Sequence, residues 1–67
     1  MTIEVLEEVR NVVADYLTAR KVYPTYEQAI EAVVAYPNEV MDYIAELECM
    51  GEPYAQAMGA AYAVVMA

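Results

Sequence analysis

The C-terminal segment, residues 53–67, contains no charged side chain, and this feature restricts the fold more than any other. Drawn as a helix, the segment places large side chains such as Tyr54, Met58 and Tyr62 on one stripe and small residues on a second. A helix that is apolar around its whole circumference has to be covered around its whole circumference. We therefore expect the rest of the chain to wrap this helix, helped by a second copy or by a partner.

The length of the chain limits how it can be stabilised. Its 67 residues are expected to form a single domain, 1–67, which at this size buries only about 60% of its unfolded surface. Such small domains are usually stabilised by disulfides, a metal ion or oligomerisation. One cysteine cannot form an internal disulfide, and a chain without histidine lacks the preferred ligands of zinc. We therefore expect no metal, no cofactor and a homo-oligomer, in the simplest case a dimer.

The net charge is −8, and it is distributed unevenly along the chain. Arg10, Arg20 and Lys21 are the only basic residues, so residues 22–67 carry seven acidic side chains and no basic one. Such a field repels nucleic acid and anionic membranes, and it attracts basic surfaces. The expected partner is therefore a basic protein surface, without direct binding of nucleic acid or membrane.

The uncharged C-terminal segment could also be read as a membrane anchor. It is shorter than the about 17–25 residues that span a bilayer, and no Lys or Arg flanks it. The N-terminal residues are acidic and amphipathic, which is unlike a signal peptide. A buried helix in a cytoplasmic protein is the favoured interpretation, and the lone cysteine fits a reducing compartment.

The spacing of the apolar residues predicts an all-α fold, because they recur every three or four residues and no strand pattern is present. Helices are predicted over residues 3–20, 26–35, 39–50 and 53–67. The buried stripe of the first helix is expected to include Val5, Val9, Val12 and Val13. These patterns predict a small compact four-helix bundle, with two short middle helices and the apolar C-terminal helix at its centre.

Particular residues mark the predicted helix ends. Thr2 and Thr25 suit the N-caps of the first and second helices, and Asn38 suits that of the third. Gly51 is expected to end the third helix, and Pro53 to begin the fourth. The connections between helices are therefore predicted to be short.

Acidic side chains on the second and third helices form the main candidate binding surface. They are Glu27, Glu31, Glu39, Asp42 and Glu46. Like charges three or four residues apart destabilise a helix by a few tenths of a kcal/mol each, and no lysine in this region relieves them. Two interpretations remain open: a docking face for a basic partner, or a solvated face that serves solubility.

Mimicry of nucleic acid is a sharper form of the docking hypothesis. Acidic residues between positions 39 and 52 are spaced about 4 Å apart along a helix, against about 1.7 Å per charge in duplex DNA. The third helix alone is therefore a weak mimic, and Glu27, Glu31 or a second copy would have to add to it. DNA reading by a helix-turn-helix is excluded, because the recognition helix would be acidic and without a base.

Catalysis has little support in the sequence. A chain without serine or histidine cannot form a Ser-His-Asp triad, and Cys49 has no histidine to activate its thiol. No calcium-binding loop and no glycine-rich phosphate loop is present. We therefore expect a protein without enzymatic activity, in which Cys49 is an inert small residue.

A stripe of small residues on the fourth helix is the last candidate site. It consists of Ala55, Gly59 and Ala63, at a spacing that lets two helix backbones approach closely. The stripe can pack against the first or third helix of the same chain. Alternatively, it can form a self-association seam across a two-fold axis.

Two classes of function are compatible with these features. The first is a non-catalytic acidic protein-binding module that engages a basic partner surface, as an inhibitor or nucleic-acid mimic of a small viral or mobile-element type. The alternative is a structural or assembly subunit that self-associates through its apolar C-terminal helix. The first predicts a complex that is sensitive to salt, and the second predicts an oligomer that depends on protein concentration.

Overall fold

Four α-helices make up most of the molecule in this computed structural model, which describes residues 2–66. The helices are α1 (Ile3–Ala19), α2 (Tyr26–Ala35), α3 (Pro37–Cys49) and α4 (Ala55–Met66). No strand occurs among residues 2–66, and the predicted all-α four-helix fold is confirmed. α1 packs mainly on α2 and α3 mainly on α4, while contacts of α2 with α3 and of α1 with α4 close a ring.

The N-caps of α1 and α2 are the predicted threonines. Thr2 accepts a hydrogen bond from the N–H of Val5 at 3.3 Å, and Thr25 accepts one from the N–H of Gln28 at 3.2 Å. Each threonine oxygen thereby satisfies an N–H group that has no partner within its own helix. α2 has the predicted limits, and α1 ends one residue early, with Arg20 as its C-cap.

The predicted start of α3 is wrong by two residues. α3 begins at Pro37 rather than at residue 39, and Tyr36 precedes it without a side-chain cap. Proline suits the first position of a helix, because its missing N–H would have no partner there in any case. Asn38 therefore lies within the first turn and does not cap the helix.

The link from α3 to α4 also differs from the prediction. Gly51 has a φ of +80°, as expected after a helix C-terminus, but Tyr54 has a φ of +68° as well. A residue in this left-handed conformation cannot continue a right-handed helix. α4 therefore begins at Ala55 rather than at Pro53. The predicted end of this helix, Ala67, lies outside the described residues.

The core is formed by buried side chains from all four helices. They are Val13, Ala14, Tyr16, Leu17, Ala29, Ala32, Val33, Val40, Ile44, Leu47, Ala55 and Tyr62. Of these, Tyr62 is the largest fully buried side chain, and its hydroxyl donates a hydrogen bond to the carbonyl of Val33 at 2.5 Å. In a continuous helix that carbonyl would accept from residue 37, but Pro37 has no N–H to donate. Tyr62 thus supplies the donor that the corner between α2 and α3 lacks.

α4 is covered on one side only. Its buried residues are Ala55 and Tyr62, whereas Val64 is 55% exposed. The rest of the chain therefore covers one face of this helix and does not enclose it as expected. α4 occupies a place in the ring beside α1 and α3. The reason is geometric, because four helices in a ring each keep an outer side. None of the helices within the described residues is long and apolar enough to cross a membrane.

Gly59 is expected to be intolerant of large side chains, because it lies where α4 packs on α3. A Cβ atom at this position would lie 3.2 Å from Cγ2 of Ile44, which is itself only 2% exposed. Gly59→Leu should therefore lower the free energy of unfolding by about 1–3 kcal/mol, measured by urea denaturation. Ala63→Leu, on the exposed side of the same helix, is the matched control and should change it by less than about 0.5 kcal/mol. Equal losses of the free energy of unfolding in the two variants would contradict the close packing of Gly59 on α3.

Candidate protein-binding surface

The five predicted acidic residues are all exposed, on two helices that pack against each other. Glu27 and Glu31 lie on the outer side of α2, and Glu39, Asp42 and Glu46 lie on the outer side of α3. We call these five residues the acidic surface. The amphipathic pattern of both helices explains their position, since the apolar residues between them are drawn into the core.

No carboxylate of the acidic surface is neutralised by a salt bridge. Within residues 2–66 the one salt bridge joins Nε of Arg20 to Oε2 of Glu52 at 3.2 Å. The guanidinium of Arg20 also lies 5.3 Å from the ring centre of Tyr16. Arg10 lies between α1 and α2, where it lines a crevice with Val34. The negative field of the acidic surface is therefore directed at solvent.

A pair of tyrosines borders the acidic surface. Tyr23, in the link between α1 and α2, packs edge-to-face on Tyr43 of α3, with ring centres 5.7 Å apart and an interplanar angle of 83°. Tyr43 is four residues from Glu39 and three from Glu46, so it neighbours both on the helix surface. An aromatic ring thus lies among the carboxylates, a combination that suits contact with arginine or lysine.

The hydroxyl of Tyr23 is buried and has no hydrogen-bond partner in the described part of the chain. Burial, together with the negative charge of Glu39, raises the pKa of Tyr23 to about 12. Burial also raises the pKa of Tyr62, against the opposing effect of Arg10. Both phenols are therefore neutral at neutral pH. The sequence analysis did not single out Tyr23. A signal was present, because a chain whose aromatic residues are all tyrosine has to bury some phenol hydroxyls along with the rings.

Cys49 and the grouping of possible metal ligands are the remaining candidates for chemistry. Cys49 is a free cysteine and is exposed. No group of three or more His, Cys, Asp or Glu side chains between positions 2 and 66 is arranged to hold a metal ion.

No protein-family model, curated protein or solved structure matches the chain. Its function is therefore inferred from its own residues.

The stripe of small residues on α4 is used within the chain. Ala55 is fully buried, and Gly59 packs against Ile44 of α3. Only Ala63 is exposed to solvent. Packing within the chain, the first of the two predicted uses of the stripe, therefore applies to Ala55 and Gly59, and a contact with a second copy stays a prediction.

A groove between α1 and α4 is a surface that sequence reasoning missed. Val9, Val12 and Val13 of α1 line it together with Met58 and Ala61 of α4, and Glu8 lies at its rim. We call it the α1–α4 groove. Val12 was expected on the buried stripe and is instead 44% exposed. The sequence contained a signal for this groove, because the apolar stripe of α1 is wider than α2 and α4 together cover.

The two buried tyrosine hydroxyls should respond in opposite directions when they are removed. Tyr23→Phe deletes a buried hydroxyl without a partner and should raise the free energy of unfolding by about 1–3 kcal/mol. Tyr62→Phe deletes the same atom but leaves the Val33 carbonyl unpaired, so it should lower that free energy by about 1–3 kcal/mol. Urea denaturation measures both. A loss of stability in Tyr23→Phe as large as in Tyr62→Phe would mean that the Tyr23 hydroxyl has an unseen partner.

Proposed function

We propose that this protein is a non-catalytic acidic protein-binding module, which engages a basic surface of a partner through the acidic surface of α2 and α3. The observation that carries the proposal is that five carboxylates on the adjoining helices α2 and α3 are exposed and that none is paired within residues 2–66. The sequence places no basic residue after Lys21. A cytoplasmic location is part of the proposal, because the exposed thiol of Cys49 suits a reducing compartment.

The acidic surface would act first on the rate of association. Complementary charges raise the rate at which partners meet, while each exposed ion pair adds only about 0–1 kcal/mol to affinity. Arginine is the favoured contact, because its guanidinium can pair with Glu39 or Glu46 and also lie against the ring of Tyr43. The complex is therefore expected to form quickly and to weaken as salt is added.

Inhibition of a nucleic-acid-binding protein is one form of this function. The net charge of −8 is spread over all faces of a molecule whose longest dimension is 32 Å, so a single face presents a lower density than about one charge per 4 Å. Duplex DNA carries one charge per about 1.7 Å, and each of its strands one per about 3.4 Å. The charge density is thus closer to that of one strand. The partner in this case is a protein whose basic groove binds single-stranded nucleic acid.

Reversal of charge on the acidic surface is expected to abolish partner capture. Tagged protein is incubated with an extract of its source cells, washed at low and then at high salt, and the released proteins are identified and purified. Asp42→Lys with Glu46→Lys should weaken binding of the purified partner at least about tenfold, because like charges then face each other.

The matched control carries the same change of charge at positions outside the acidic surface. Glu7→Lys with Glu48→Lys should retain most of the affinity, since Glu7 is on α1 and neither residue belongs to the acidic surface. If the control loses as much affinity as Asp42→Lys with Glu46→Lys, only net charge matters and the acidic surface is not the interface. Retention of the partner at high salt would also contradict the proposal.

A structural or assembly subunit is the second candidate, because the outer side of α4 is uncharged and includes the exposed Val64. In this case a homodimer would form through that outer side. The accessible surface of the single chain is 4399 Å², close to the about 4,200 Å² expected for a compact monomer of this mass. Since the chain is compact without a second copy, we place the binding module first.

Sedimentation distinguishes the two candidates. The assembly function predicts a mass that rises above 7.5 kDa as the protein concentration increases, with Val64→Lys restoring the monomer by placing charge on the outer side of α4. Val34→Lys, which changes an exposed valine on α2, should leave the dimer intact. A mass that stays at the monomer value across the concentration range would remove the assembly function.

A further inference from the structure

The α1–α4 groove combines an apolar floor with an acidic edge. Its lining residues are apolar apart from Glu8. On the helix surface Glu8 neighbours Val5 and Val12, three residues before it and four after it, which are 43% and 44% exposed. Glu4 lies one turn before Glu8, and it is exposed. A strip of exposed valines therefore runs beside a row of carboxylates along α1.

The groove is large enough for one anchoring side chain. Its volume is about 190 Å³, and an apolar cavity of about 150 Å³ is known to hold benzene. A leucine or phenylalanine therefore fits, with the flexible thioether of Met58 able to adapt to its shape. α4 has 12 residues and so offers a partner helix a contact length of about 18 Å. Both dimensions suit helix-in-groove recognition.

A second copy of this chain does not match the charge of the groove. The chain has three basic residues, and Arg20 is already paired with Glu52. Arg10 is half-buried and lines crevices with α2 and with the C-terminal end of α4 rather than the groove. Lys21 is exposed, but it lies in the turn after α1 and not on a helix with an apolar stripe. Two copies would each bring a net charge of −8 to the contact. An occupant with basic residues beside an apolar stripe complements both the floor and the edge.

We infer that the α1–α4 groove is a docking site for an amphipathic helix of a partner protein. One large apolar side chain of that helix enters between Val12 and Met58, and its lysine or arginine residues face Glu4 and Glu8. The inference rests on the proposed function for the basic character of the partner, and it adds a second contact at a different surface. Charge on α2 and α3 then guides the partner and contributes to its binding, and the groove adds an apolar anchor.

Three synthetic peptides of about 18 residues, or about five helical turns, serve as probes. The first has leucine every three or four residues and lysine beside the leucine stripe. The second has glutamate in place of lysine, and the third has alanine in place of leucine. Binding is measured by calorimetry, and the site is located by heteronuclear NMR. We expect the leucine–lysine peptide to bind and to shift resonances of α1 and α4, and the other two to bind at least about tenfold more weakly.

Variants of the protein separate the groove from the acidic surface. Val12→Glu should weaken binding of the leucine–lysine peptide at least about tenfold, because it places a charge where the anchor enters. Val34→Glu changes a valine on α2 that is 60% exposed, more than Val12, and should alter binding by less than about twofold. Glu4→Lys with Glu8→Lys leaves the core untouched and should transfer the preference to the leucine–glutamate peptide. Glu7→Lys, on the α2 side of α1, should leave the preference for the leucine–lysine peptide unchanged.

Each contrary result overturns the inference in a different way. Equal binding of the leucine–lysine and leucine–glutamate peptides would assign the groove to an apolar partner or a second copy. Shifts confined to α2 and α3, lost in Asp42→Lys with Glu46→Lys but not in Val12→Glu, would remove the groove and leave the proposed function standing. No binding of the leucine–lysine peptide at about 1 mM would remove the docking site.

Discussion

The hydrogen bond from the Tyr62 hydroxyl to the Val33 carbonyl holds the bundle together at its most constrained point. Pro37 makes a sharp corner between α2 and α3 possible, but it leaves that carbonyl without its helical partner. A buried carbonyl without a donor costs about 1–3 kcal/mol. The donor comes from α4, whose main packing partners are α3 and α1. The corner and the C-terminal helix therefore depend on each other.

Those helix limits that are set by neighbouring residues could be predicted from the sequence. α2 runs from Tyr26 to Ala35 as expected, since Thr25 caps one end locally and proline follows the other. The start of α4 could not be predicted in the same way. Tyr54 takes a left-handed conformation beside Pro53, whose carbonyl accepts a hydrogen bond at 2.8 Å from Tyr16, 37 residues earlier. A local sequence pattern carries no information about contacts between residues that are so far apart in the chain.

The candidate surfaces show the same difference between features set by the local sequence and features set by long-range packing. The exposure of Glu39, Asp42 and Glu46 followed from the amphipathic pattern, because acidic residues opposite an apolar stripe face solvent in any helical bundle. Which apolar residues are covered depends instead on how many neighbours each helix has. In a ring of four, Val12 falls at the edge of the covered side of α1, whereas Ala55 is buried and Gly59 packs against Ile44 of α3. The groove and the packing of the small-residue stripe both result from this arrangement.

The ring can also be divided into two helical hairpins, α1 with α2 and α3 with α4, and the chain passes from one to the other at the corner of Tyr36 and Pro37. The Tyr62–Val33 and Tyr16–Pro53 hydrogen bonds both cross between these hairpins. If the corner straightened, two chains could exchange hairpins and form each of these bonds with the other copy instead. The closed monomer and such a domain-swapped pair share nearly every contact, so the conformation of a single proline corner decides between them.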